Sequence, residues 1–206
     1  MMATETIFLT GFPGFIATRL VRRLAANAGR LLLLVQPAFA ERALDEINKI
    51  AAETGRPVTD FALLTGDITA PNLGLSQTDL DRALAETTIV FHLAAIYDLA
   101  VARDLALRVN VTGTRNVNDF ARRARKLRHY HYVSTCYVAG KRTGRILETE
   151  LAHTAGFRNY YEETKYLAEL EVQALQSELP VTIHRPSVVC GDSRTGEARS
   201  TTASII

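Results

Sequence analysis

Three short stretches of this 206-residue sequence carry side chains able to hold or move a proton. The first is Tyr160-Tyr161-Glu162-Glu163-Thr164-Lys165, in which Tyr161 and Lys165 stand four residues apart. On a helix that spacing puts both on one face. A free phenol has a pKa of about 10, too high for efficient proton exchange near neutrality. A neighbouring ammonium stabilises phenolate, so Lys165 is expected to lower that value. Tyr160 has Thr164 at the same spacing, which makes Tyr161 the better acid. The second stretch runs from Tyr132 to Gly140 and places the hydroxyls of Ser134 and Thr135 just beyond an apolar run. A hydroxyl there is able to hold a carbonyl oxygen. The third is Arg108-Val109-Asn110-Val111-Thr112-Gly113-Thr114, where Asn110 is a poor helix former inside a helical pattern. Either Asn110 has a site to serve, or it is an ordinary polar residue on an exposed face.

These side chains need a scaffold, and the scaffold begins at Thr10-Gly11-Phe12-Pro13-Gly14-Phe15-Ile16-Ala17. An apolar run, Ile7-Phe8-Leu9, precedes it, and the helical pattern Leu20, Val21, Leu24, Ala25 follows. A strand, a glycine turn and a helix in succession form the context in which such glycines bind dinucleotides. Gly11 permits a tight turn off the strand. Gly14 lets a diphosphate approach the backbone, and the free N–H groups of the helix start then face that anion. Pro13 stiffens the turn without donating. Ala17 holds the third position of the pattern and is small enough for close helix–strand packing. The plain alternative is a strand-to-helix turn that binds nothing.

Apolar runs alternate with helical patterns along the rest of the chain. Strands are expected at Ile7–Thr10, Leu31–Val35, Val58–Thr65, Ile89–Leu93, His129–Ser134 and Val181–His184. Helices are expected at Gly14–Ala28, Ala40–Thr54, Gln77–Glu86 (capped by Ser76), Ala100–Arg125 (weakened by Gly113) and Tyr160–Glu178. Gly140–Gly156 reads as a polar loop. Strands joined by helices imply parallel pairing and right-handed crossovers. The expected fold is therefore α/β, a Rossmann-type doubly wound parallel sheet of order 3-2-1-4-5-6 with helices on both faces and the ligand at the C-terminal strand ends.

That placement bears on which dinucleotide binds. An NAD site usually has an acid about 20 residues past the turn. Here the second strand ends in Val35-Gln36-Pro37, and the first acid afterwards is Glu41. Gln36 does not repel a 2′-phosphate, which favours NADP; NAD stays possible because no Arg stands there. Arg42 either reaches that phosphate or faces solvent. Asp67, after the third strand, either accepts from the adenine amino group or caps a turn.

The 24 basic and 22 acidic residues leave a net charge of +2, which does not suit a nucleic-acid binder. The cluster Arg122 to Arg128 falls at a helix end, where cations suit the dipole. No apolar stretch reaches the roughly 18–20 residues of a membrane span, and the N-terminus lacks a secretory pattern. Cys136 and Cys190 sit among apolar residues without metal spacing, so no metal is expected and two free thiols in a reducing cytoplasm are.

Taken together, these stretches make the chain resemble the extended short-chain dehydrogenase/reductase family over nearly its whole length. Thr10-Gly11-x-x-Gly14-x-x-Ala17 is similar to its cofactor turn, and Phe91-His92-Leu93-Ala94-Ala95 to the strand-four motif beside the adenine ribose. Tyr161-x-x-x-Lys165 matches its catalytic pair, and Arg185-Pro186-Ser187-Val188-Val189-x-Gly191 its strand-six motif beside the nicotinamide. The resemblance implies that Tyr161 is the proton donor, Lys165 holds the nicotinamide ribose and Thr135 orients the substrate. It also implies that Asn110 supports Lys165 through a water relay. Thr10, Gly11, Phe12, Pro13, Gly14, Phe15, Ile16, Gln36, Asp67, Ile68, Leu93, Ala94, Ala95, Tyr161, Lys165, Pro186 and Val188 are the implied cofactor residues.

Thr10–Phe15, Gly66-Asp67-Ile68, Val109–Thr114 and Val188–Ser193 resemble the fatty acyl-CoA reductase and thioester reductase branch. That branch implies NADPH and an acyl thioester reduced to aldehyde or alcohol. A nucleotide-sugar epimerase or dehydratase and a non-catalytic cofactor binder would share the same motifs. The family's C-terminal substrate lobe is expected to be absent, because only a short stretch ending in Ile205-Ile206 follows strand six. Family members often dimerise through the two long helices, so a homodimer is possible.

Overall fold

The apolar runs of the first two strands are buried on both faces of a sheet, and their alternate residues feed two separate cores. In the computed structural model, which describes residues 5–196, β1 (Thr6–Thr10) pairs in parallel with β2 (Arg30–Val35). Phe8, Leu32 and Leu34 point into one core, Ile7, Leu9, Leu31 and Leu33 into the other. The period of two along a strand makes that division, and burial on both faces explains why no polar residue interrupts the runs. β3 (Phe61–Thr65), β4 (Ile89–His92), β5 (His129–Val133) and β6 (Val181–His184) complete a six-stranded parallel sheet of order β3-β2-β1-β4-β5-β6. This is the expected doubly wound order. The apolar pair Ile205-Ile206 lies outside the described residues.

Helices α1 (Phe15–Ala25) and α2 (Ala40–Thr54) cover one face. After α3 (Gln77–Glu86), α4 (Arg103–Ala106) continues through a π-helical stretch, Leu107–Thr112, into α5 (Gly113–Arg123). α5 and α6 (Tyr160–Gln173) pack on the other face, where Phe120 stacks on Phe8 with ring centroids 4.3 Å apart. Ser76 caps α3 as expected, accepting from the Asp79 N–H at 3.1 Å.

Several bounds differ from the sequence expectation. α1 ends at Ala25, short of Ala28, because the Arg56 guanidinium takes the Ala25 and Gly29 carbonyls at 3.0 and 2.8 Å. β3 starts at Phe61, since Val58–Asp60 forms a 3₁₀ turn whose Asp60 pairs with Arg56 at 2.6 Å. α6 gives way to a 3₁₀ turn at Ala174–Ser177. At Gly113, where α5 starts after the π-helical stretch, a Cβ would stand 2.6 Å from Ile68 Cδ1, so glycine lets the helix pack closely on the β3 loop. Among the described residues no helix is long and apolar enough to cross a membrane.

Candidate active site

The glycine turn leaves β1 at Gly11, whose φ of +91° is open to glycine and strained for other residues. A Cβ at Gly11 would stand 2.8 Å from the Ala94 N, so the bare backbone is also what lets β1 and β4 end side by side. The Gly14 N–H closes the turn on the Gly11 carbonyl at 2.8 Å. The first turn of α1 then has no side-chain cap and no acidic residue, leaving its N–H groups positive. Arg19 adds a guanidinium 3.8 Å from the Phe15 ring centroid. Ala17 is buried against the sheet, as close helix packing requires.

Six of the expected residues, Thr10, Gly11, Phe12, Gln36, Ile68 and Ala94, line one cavity at the β1–β2 end. The Gln36 amide donates to one Asp67 oxygen at 3.1 Å, and the other Asp67 oxygen accepts from the Thr69 N–H at 2.7 Å. The carboxylate is thus capping a turn, the second of its two expected uses. Arg42 is exposed.

A second cleft, at the β4–β5–β6 end, brings together Ile16, Leu93, Ala95, Thr135, Tyr161 and Lys165, with Pro186 and Val188 on its rim. Phe15 faces a neighbouring hollow, and Pro13 is buried within the turn. Tyr97, which the sequence reading missed, also lines the cleft and meets the Tyr161 ring edge-on at 5.0 Å.

α6 starts where it does because Asn159 accepts from the Glu162 N–H at 2.9 Å while Glu162 accepts from the Arg158 N–H at 3.0 Å. That start turns Tyr160 to solvent, at 46% exposed, and Tyr161 inward, at 6%. Thr135 lies two residues beyond β5, where its hydroxyl oxygen accepts from the Tyr137 N–H at 3.2 Å in the cleft that Tyr161 also lines. The expected lowering of the phenol does not occur. Burial pushes Tyr161 up to about 12, and the Thr135 hydroxyl only partly opposes it. The reason is local: the Lys165 ammonium turns to the Tyr132 hydroxyl at 2.9 Å and the Val133 carbonyl at 3.0 Å. Lys165 itself is pushed down to about 7 by burial, against an opposing pull from Glu169.

Asn110 is buried, which removes the exposed-face alternative. Its carbonyl oxygen accepts from the Ile96 N–H at 2.9 Å, and its amide donates to Ile96 O at 3.4 Å and Thr164 Oγ1 at 3.0 Å. Through these contacts the side chain clamps the loop after β4 to α6. Its π-helical setting is the kind of helix irregularity found at functional sites. Both cysteines are exposed, although apolar residues flank them in sequence.

Two further groups escaped the sequence reading. Glu169, one turn past Lys165 on α6, is fully buried and accepts from Arg185 and from the Ser134 hydroxyl. The four-residue spacing that singled out Lys165 would have found it. Behind Lys165 lies a buried group of polar side chains, in which His92 hydrogen-bonds Thr114 at 3.0 Å, its ring stands 5.5 Å from that of Tyr132, and Tyr132 meets Lys165.

Comparison with known proteins agrees with this geometry. The family model described as male sterility protein, an NAD-binding domain, matches residues 9–205. Fatty acyl-CoA reductase 1 of Arabidopsis thaliana is 31% identical over 173 residues, 71% of this chain and 34% of that protein. The chloroplastic fatty acyl-CoA reductase 2 of the same plant is 24% identical, covering 90% of this chain and 41% of that protein. The chain thus spans less than half the length of these relatives. Among solved structures, the terminal R domain of the myxalamid PKS-NRPS pathway superposes with a TM-score of 0.81 at 29% identity, over 96% of this chain and 52% of that one. A UDP-N-acetylglucosamine 4-epimerase from Methanobrevibacter ruminantium, at 19% identity and a TM-score of 0.68, shares the fold alone. With its glycine turn, sheet order and matched span, the chain belongs to the male sterility protein family of NAD-binding domains.

Proposed function

We propose that the chain is the cofactor-binding and hydride-transfer part of an NADPH-dependent reductase acting on an acyl thioester. One observation carries the reading: Thr135, Tyr161 and Lys165 line a single cleft at the C-terminal strand ends. The residues fit a dinucleotide along the strand ends. The bare Gly11–Gly14 turn and uncapped α1 suit a diphosphate, and the two clefts suit its two nucleosides. The nicotinamide, when bound, supplies the hydride. NADPH is the favoured form because Gln36, and no carboxylate of its own, ends β2; the Asp67 carboxylate it holds leaves room for NADH.

The protein's own residues would act on the carbonyl oxygen. Tyr161 is protonated at neutral pH, as a proton donor must be, although burial makes it a weaker acid than a free phenol. Thr135 and Tyr161 together would hydrogen-bond the oxygen as it gains charge, and Tyr161 would deliver its proton. Lys165, half protonated near its pKa of about 7, would replenish positive charge behind the phenol. Asn110 acts by position, holding α6 to the loop after β4. Relatives named as fatty acyl-CoA reductases and an R domain of a peptide-synthetase pathway support the substrate class.

The test is a spectrophotometric assay of NADPH and NADH oxidation with an acyl-CoA, with a carrier-bound acyl thioester and with a nucleotide sugar. Turnover of a thioester, with release of its free thiol, supports the reading. Turnover of the nucleotide sugar alone, or cofactor-induced stabilisation without turnover of any of them, would overturn it.

A further inference from the structure

The two tyrosines of β5 that face the α5–α6 core look alike in sequence and burial, yet their hydroxyls do different things. Tyr130 donates to Asn118 Oδ1 at 2.8 Å, a contact inside the core. Tyr132, two residues on and fully buried, meets the Lys165 ammonium at 2.9 Å, with the ammonium also 4.5 Å from its ring centroid. A phenylalanine would fill the same volume, so the hydroxyl at Tyr132 calls for a purpose.

Behind Tyr132 runs a chain of buried polar groups. The Thr10 hydroxyl oxygen accepts from the Leu93 and Ala94 N–H groups at 3.2 and 3.1 Å. With both lone pairs taken, its own proton must point to His92 Nδ1, 2.8 Å away. The imidazole is then the tautomer that carries its proton on Nε2, and it donates to Thr114 Oγ1 at 3.0 Å. The His92 ring also stands 5.5 Å from the Tyr132 ring, and the Thr114 hydroxyl opposes the upward push that burial gives the Tyr132 phenol. Burial, and after it Lys165, pushes His92 down to about 3, so the relay stays neutral. The chain joins the strand end where the glycine turn departs to the lysine of α6, and it crosses β1, β4 and β5 without meeting solvent.

We propose that Tyr132 is a positioning residue for the reductase chemistry: its hydroxyl, backed by the buried chain Thr10–His92–Thr114, seats the Lys165 ammonium on the face of α6 that also carries Tyr161. The proposal rests on the reductase reading for its consequence in catalysis. The seat itself is a property of this fold. The titratable groups around Lys165 are Tyr132 on β5, His92 on β4, and Tyr161 and Glu169 on α6, with Arg185 behind Glu169.

Two substitutions separate a seat from simple packing. Tyr132→Phe and Tyr130→Phe each remove one buried hydroxyl from the same face of the same strand. The sequence has four lysines, so the side-chain Cε signals of lysine-labelled protein can be followed by NMR, with Lys165 assigned by Lys165→Met. In Tyr132→Phe the ammonium loses an acceptor, and the Lys165 titration is expected to move down by about one unit, a tenfold change in its charged fraction on that limb. Tyr130→Phe is expected to leave it in place. An unmoved titration in Tyr132→Phe, or an equal movement in both variants, overturns the proposal. The NMR readout needs no turnover, so it stands even where the thioester assay fails. If the chain does reduce a thioester, the basic limb of kcat against pH is expected to shift with the titration, with the KM for thioester unchanged. A loss of kcat equal at every pH would instead mark a structural role and count against Tyr132.

Discussion

Arg185 and Glu169 form a buried ion pair in which two guanidinium nitrogens stand 2.5 and 2.8 Å from a single carboxylate oxygen. Glu169 is inaccessible and Arg185 is 16% exposed at its side chain. The pair pins α6 to the end of β6, directly beneath the cleft. Removing Arg185 leaves the buried Glu169 without its ion-pair partner and with the Ser134 hydroxyl as its hydrogen-bond donor. Arg185→Met should therefore cost about 3–5 kcal/mol in urea unfolding. The double variant Arg185→Met/Glu169→Leu should recover most of that loss. A single variant as stable as wild type would show that the pair does not brace α6.

Lys165 makes stability depend on pH. Its pKa falls from an ordinary 10.5 to about 7 on folding, mainly through burial. Between those values the unfolded chain binds the extra proton, so stability contributed through this group rises with pH from about 7 to 10.5. Below that window both states carry the charge and the folded state bears its burial cost in full. Urea unfolding of wild type and Lys165→Met at about pH 6.5, just below that window, and at about pH 8 and 9.5 within it should show the wild type gaining on the variant as pH rises. A constant difference would mean that Lys165 keeps its ordinary pKa.

Tyr161→Phe removes the one group placed to donate a proton while keeping the ring that meets Tyr97. Turnover of the thioester should fall by about two to four orders of magnitude, and the thermal shift given by NADPH should stay close to that of wild type. Turnover near the wild-type rate would remove Tyr161 from the chemistry.

Gly11→Ala places a methyl 2.8 Å from the Ala94 N at a φ of +91°. The strain is about 1–3 kcal/mol, and the contact pushes apart the strand ends that carry the cofactor turn. Its melting temperature should drop, and the stabilisation by NADPH should shrink at equal ligand concentration. Gly55→Ala, at a φ of +70° with open space around it, isolates the strain: it should lower the melting temperature but spare the NADPH response.

The sequence alone determined the sheet order, the bounds of α2 and β6, the Ser76 cap and the cleft-lining Thr135, Tyr161 and Lys165. Each of these rests on local signals: continuous apolar runs, capping residues and the four-residue step of a helix. Tertiary structure decided what those side chains touch. Lys165 faces Tyr132, a residue 33 positions away, because β5 and α6 pack together. Asp67 caps its turn through the nearby Thr69 N–H, a local contact, but it also holds Gln36 because β2 and β3 end side by side. The direction of the Tyr161 shift was hidden too. Spacing puts Lys165 on the same helix face, but only packing shows that its ammonium turns to Tyr132 and that burial dominates the phenol. Desolvation and long-range hydrogen bonds depend on what the rest of the chain brings to a place, and no window of sequence contains that information.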